Sequence, residues 1–181
     1  NRYALAMRGA EARRLSLHDL SELIPLAPRL SIGADYEFFQ RPEWPALVKR
    51  YGLHFRSQRS MDPALMYQAL AQGEVDVISA FSTDGRIASY DLQLLDDDRR
   101  AIPPYDALLL AGPRIVAQRP DVLRGLRGLA GAIDAVQMQR MNLAVDGGGE
   151  TPAQVARTFL RQRARSSATQ QDAGGARILS P

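Results

Sequence analysis

Residues 63–85, PALMYQALAQGEVDVISAFSTDG, carry the reading that decides the fold. Pro63 suits the first turn of a helix, where its missing N–H costs nothing. Gly73 is placed to end that helix, because only glycine takes the left-handed conformation freely. VDVISAF, residues 75–81, is an apolar run of the kind a strand shows when both faces of its sheet are covered. Ser82, Thr83, Asp84 and Gly85 are turn chemistry. Phe81 is out of place among them, since the backbone there should be reaching solvent. It is either a core ring at the end of a strand or an aromatic face kept at the strand tip to hold something.

The flanks extend the pattern. YALAM (residues 3–7) reads as a short buried strand or crossover, and RLSIGAD as a strand ending at Gly33. Ser16 followed by Asp19 has the spacing of a capping box, with Leu17, Leu20, Leu23 and Ile24 recurring at helical intervals until Pro25 and Pro28 stop them. YEFFQRPEWPALVKRYG predicts a turn-rich connection and then a helix closed by Gly52. LHFRSQ alternates like a strand, and LQLLDDD and DALLLAG are two further strand candidates. Strands separated by helices predict an α/β sheet. From about Pro113 the character turns helical: RPDVLRGLRGLAGAI, then AVQMQRMNLAV capped by Asp134, then AQVARTFLRQR behind Thr151 and Pro152. The polar, glycine-rich end predicts a disordered tail over 164–181.

Composition removes several classes of function. The 181 residues carry a net charge of +3, almost wholly from arginine, with Lys49 the only lysine. Those arginines are interspersed with acids and form no basic stripe with interleaved aromatics, which argues against nucleic acid as a partner. Without cysteine there is no disulfide framework and no thiolate metal site. His18 and His54 stand far apart without ligand spacing, so no cofactor or metal is expected. No apolar run approaches the roughly 20 residues of a membrane helix. The abrupt opening NRYALAM, with no leader-like segment, creates the expectation that something lies upstream.

The string MDPALMYQALAQGEVDVISAFSTDGRIASYDLQLLDDD, then IPPYDALLL, strongly resembles the substrate-binding proteins of ABC importers for glycine betaine, carnitine and choline. RLSIGADYEFFQRPEWPALVKRYGL and LAGAIDAVQMQRMNLAVDGGGETPAQVARTFL match the same family in the same order, so the resemblance covers residues 1 to about 163. It implies a type II periplasmic-binding-protein fold of two α/β lobes, a two-strand hinge and a cleft between them. It also implies that residues 1–107 form the second lobe, and that 108–163 are a return strand and helices belonging to the first. A first-lobe segment of about a hundred residues, a small domain in size, is expected to be missing.

The same resemblance implies a binding site. A quaternary ammonium has no N–H to donate, so aromatic faces must hold it through their quadrupole. Tyr3, Phe81 and Tyr105 stand at the family's ring positions, and Arg41 at the arginine that reaches a betaine carboxylate. Glu37 either orients that arginine or sits near the ammonium. Tyr36, Tyr51, Tyr67 and Tyr90 lack this context and read as packing. Two departures stand out: Phe81 replaces the usual tyrosine, and Asp35-Tyr36 replaces Asp-Pro in the loop that aims Arg41.

The expected partners are a small quaternary ammonium ligand, ABC permease subunits in a periplasmic or extracytoplasmic setting, and the missing segment. A second copy of the chain is a further expected partner, docked on apolar faces that include Leu123, Leu126, Leu129 and Met138. An alternative is the ligand-sensing domain of a regulator, which requires a helix-turn-helix that this sequence does not display. No nucleophile–base pair, phosphate loop or metal constellation stands out, so an enzyme is not expected.

Overall fold

The computed structural model describes residues 1–175. β1 (Tyr3–Arg8) leads into α1 (Gly9–Leu15), α2 (Leu20–Leu23) and β2 (Ser31–Ala34). α3 (Glu43–Tyr51), β3 (Ser57–Ser60), α4 (Pro63–Gln72) and β4 (Val77–Phe81) follow. α5 (Arg86–Ser89) and β5 (Leu92–Leu95) complete the sheet-bearing part. Beyond it come α6 (Pro113–Gln118), α7 (Pro120–Arg127), α8 (Ala135–Asp146) and α9 (Pro152–Gly175).

The five strands form one sheet in the order β3-β2-β4-β1-β5. β2 is parallel to β3 and β4, whereas β1 is antiparallel to β4 and β5. The sheet is therefore mixed, and β4 lies at its centre with one parallel and one antiparallel neighbour. The alternation of side chains along each strand splits the core in two. Tyr3, Leu5 and Met7 of β1 join Ile32, Val77, Leu47 and Trp44 on one face. Ala6, Ile78 and Ala80 face α4 through Met66, Tyr67 and Leu70 on the other. Gly52 (φ 67°) and Gly73 (φ 78°) close α3 and α4 in the left-handed conformation expected of them.

Several expectations are corrected. The capping box sits three residues further on, at Asp19 and Glu22: Glu22 accepts from the backbone N–H groups of His18 (2.6 Å) and Asp19 (3.0 Å), while Ser16 ends α1 at φ 53°. The strand expected over 53–58 is shifted to 57–60, because Leu53 is buried in the core and the ladder begins only where Ser57 meets Ser31. DALLLAG forms no strand. Among the described residues it meets no free sheet edge, and Leu108 and Leu110 stand 80% and 93% exposed. The return strand expected within 108–163 is thus absent here, although its helices are present. Tyr36 and Tyr90 are exposed rather than packed. α9 continues through part of the segment expected as a tail, since no proline interrupts it before Gly175, and residues 176–181 lie outside the described residues.

Candidate functional site

The register of β1 on β4 places Tyr3 directly opposite Phe81. Their rings meet at 4.7 Å between centroids with a 36° tilt, and Phe38 lies 5.1 Å from Tyr3. This is the geometry in which the quadrupoles of neighbouring rings attract. Tyr3 is buried at 8% exposure, while Phe81 is half-buried. Burial, with Asp35 close by, pushes the Tyr3 hydroxyl up to about 12, so the ring stays a neutral phenol.

Asp35 builds the next part of the site. Its Oδ1 accepts from the N–H groups of Glu37 and Phe38, both at 2.9 Å, and its Oδ2 lies 3.4 Å from the Tyr3 hydroxyl. A carboxylate capping the backbone two and three residues on is a local turn signal. It sets the single 3₁₀ turn at Phe38–Gln40 that delivers Arg41. The loop is thus held by Asp35, with Tyr36 rather than a proline following it.

The guanidinium of Arg41 lies 5.4 Å from the centre of the Tyr3 ring. It pairs with Glu43 (3.3 Å) and more loosely with exposed Glu37 (3.8 Å). Glu43 is the residue that sequence reasoning missed. Its side chain is 1% exposed, and it accepts both Arg41 and the Tyr105 hydroxyl (2.9 Å). Burial pushes the Glu43 carboxyl up, but its own N–H, Arg41 and Tyr105 outweigh that and hold it below the usual range. The hydrogen bond to Glu43 in turn raises Tyr105 and Arg41. Nothing in the sequence singles out Glu43, because an acid in the first turn of a helix is ordinary dipole chemistry.

Tyr105 therefore joins the cluster through its hydroxyl. The backbone nitrogen of Asn1 donates to its carbonyl at 3.2 Å, so the segments before β1 and after β5 run side by side. A cavity of about 560 Å³ opens next to them, lined by Arg2, Ser82, Tyr105, Met138 and Asn142 among others. Of the five expected residues only Tyr105 lines it. The structure brings Tyr3, Phe81, Arg41, Glu37 and Tyr105 into one chain of contacts, with Asp35, Phe38 and Glu43 as supports. Such a set offers π faces, one guanidinium and carboxylates. Among the described residues no group of His, Cys, Asp or Glu side chains is placed to hold a metal ion.

Residues 1–162 match the family described as the substrate binding domain of ABC-type glycine betaine transport system. The carnitine transport binding protein OpuCC of Listeria monocytogenes serotype 1/2a (strain 10403S) is 34% identical over 164 residues, covering 90% of this chain and 53% of that protein. The ergothioneine transport permease/ergothioneine binding protein EgtU of Helicobacter pylori (strain G27) is 31% identical, over 90% of this chain and 30% of its own length. A crystal structure described as a glycine betaine/carnitine/choline ABC transporter superposes with a TM-score of 0.86 at 36% identity, over 91% of this chain and 61% of the other. The chain spans about half the length of OpuCC. None of these relatives is a regulator, so the sensing-domain alternative gains no support, and they are binding proteins rather than enzymes. The chain belongs to the family of substrate-binding domains of ABC-type glycine betaine transport systems.

Proposed function

We propose that this chain supplies one lobe and the return helices of an extracytoplasmic protein that captures a quaternary ammonium solute, such as glycine betaine, carnitine or choline, and presents it to an ABC permease. Tyr3, Phe81 and Tyr105 form the aromatic walls, Arg41 meets a ligand carboxylate, and Glu37 flanks the guanidinium. The observation that supports the reading is the Arg41 guanidinium 5.4 Å from the centre of the Tyr3 ring, a delocalised cation beside an aromatic face. Each such contact supplies roughly 0.5–2 kcal/mol, so several rings are needed. The opposite wall of the cleft comes from a first-lobe segment outside this chain, and closure of the two lobes is the switch that signals occupancy.

An apolar hollow of about 800 Å³, lined by Leu108, Leu109, Leu123, Leu126, Leu129 and Met138 among others, is covered in the whole protein by that first lobe. In the isolated chain it is the face on which two copies associate. Among the described residues no helix is long and apolar enough to cross a membrane. The test is calorimetry on the whole protein with glycine betaine, carnitine, choline and ergothioneine. Saturable binding of at least one, weakened by Phe81→Ala, is expected. Binding of none overturns the proposal.

A further inference from the structure

α8 lies outside the sheet, yet its polar attachments run to the turn that follows Phe81. Gln139, 8% exposed, donates its Nε2 to the Ser82 carbonyl at 2.8 Å. Asn142, three residues on and hence on the same helix face, donates its Nδ2 to the Thr83 carbonyl at 2.7 Å. Gly85 lets the two backbones touch: a Cβ there would stand 2.6 Å from the Leu143 nitrogen. The turn is tied back to the Tyr3 strand as well, since Ser82 N–H donates to the Arg2 carbonyl (2.9 Å) and Arg2 N–H donates to Ser82 Oγ (3.1 Å).

We propose that Gln139 and Asn142 are positioning residues for the Phe81–Tyr3 ring pair, holding the 82–85 turn so that a helix outside the sheet aims the ring at the tip of β4. The inference rests on the reading of that pair as a cation-binding wall. Carboxamides suit the task because the outward-facing carbonyls of Ser82 and Thr83 need uncharged donors in a half-buried contact. Two such bonds from one helix face also fix the register of α8 against the turn. The role is separable from general stability. No residue of α8 belongs to either hydrophobic cluster flanking the sheet, so the core does not depend on it.

The test uses the whole protein with Gln139→Met and Asn142→Leu, which keep size and remove the donors. Each is expected to weaken glycine betaine or the best-bound quaternary amine about five-fold, the worth of one hydrogen bond. The double variant should lose more, with the thermal midpoint kept within about 4 °C. Amide exchange should speed up in residues 79–86 and stay unchanged in β5. Unchanged exchange over 79–86 sinks the clamp. Faster exchange with wild-type affinity overturns the positioning role. A wild-type protein that binds no quaternary amine overturns the ring-pair reading and the positioning role with it, while the exchange result still judges the clamp on its own.

Discussion

Tyr3 and Phe81 face each other across the antiparallel ladder of β1 and β4, and their rings touch at 4.7 Å. The contact joins the first strand to the turn of STDG, residues 82–85. An aromatic surface is thereby formed by two segments far apart in sequence.

Phe81→Ala in the whole protein should weaken binding of a quaternary amine by about 2- to 30-fold, the worth of one cation–π contact. Phe81→Tyr should preserve binding, since the π face survives. Titration calorimetry checks both, with thermal unfolding beside it. An alanine variant that loses stability but keeps affinity would show that Phe81 is only packing.

Glu43→Gln should loosen two groups at once, because Arg41 and Tyr105 both converge on that buried carboxylate. Hydrogen bonds to a charged group are worth roughly 1.5–3 kcal/mol. A stability loss of about that size, with weaker ligand binding, is expected in urea unfolding and calorimetry. Wild-type values in both would refute the pinning role.

Asp84 accepts Arg86 at 2.7 Å, and the Arg86 guanidinium lies 4.0 Å from the centre of the Tyr67 ring. Burial pushes the Asp84 carboxyl up, but hydrogen bonds from Arg86 outweigh it and hold the group below its ordinary 3.8. A folded-state pKa below the unfolded one contributes stability that is fully present above the unfolded value and is lost as pH falls through the folded one. Arg86→Met should therefore destabilise the protein at pH 7, with the gap to wild type shrinking below pH of about 3.8. Urea unfolding at both pH values decides it, and a constant gap contradicts the linkage.

Gly85→Ala and Gly125→Ala should act in opposite directions. At Gly85 the new methyl meets the Leu143 backbone, and overpacking costs about 1–3 kcal/mol. At Gly125, inside α7 with open space around it, alanine should stabilise the helix by roughly 0.5–1 kcal/mol. Denaturation midpoints read both, and equal shifts would contradict the packing difference.

The isolated chain should bind an apolar dye and self-associate, because Leu108 and Leu110 are exposed beside the hollow. Leu108→Ser with Leu110→Ser should reduce both effects, as seen by fluorescence and light scattering. Quaternary amines should bind this chain weakly or not at all. A clean monomer with no dye binding, or micromolar affinity for a betaine, would refute this account.

Local chemistry made much of this legible from sequence. Pro63 and Gly73 bound α4 because proline fits only a first turn and glycine alone takes a left-handed cap freely. Asp134 caps α8, and the apolar run before Phe81 is a buried strand. Ordered family motifs single out Tyr3, Glu37, Arg41, Phe81 and Tyr105 as the expected ligand residues, and the fold links them through contacts. What depends on distant segments stayed hidden. DALLLAG looks like a strand, but a strand exists only beside a partner edge, and composition cannot reveal that edge. Glu43 looks like any first-turn acid, and only the fold buries it under Arg41 and Tyr105. By itself, then, the sequence determined the type of most elements, the caps of α3, α4 and α8 and the family, because these follow from backbone sterics and residue order. Only the tertiary structure set the Phe81 ring 4.7 Å from that of Tyr3, because the register of β1 on β4 places the two residues opposite each other at the edge of the core.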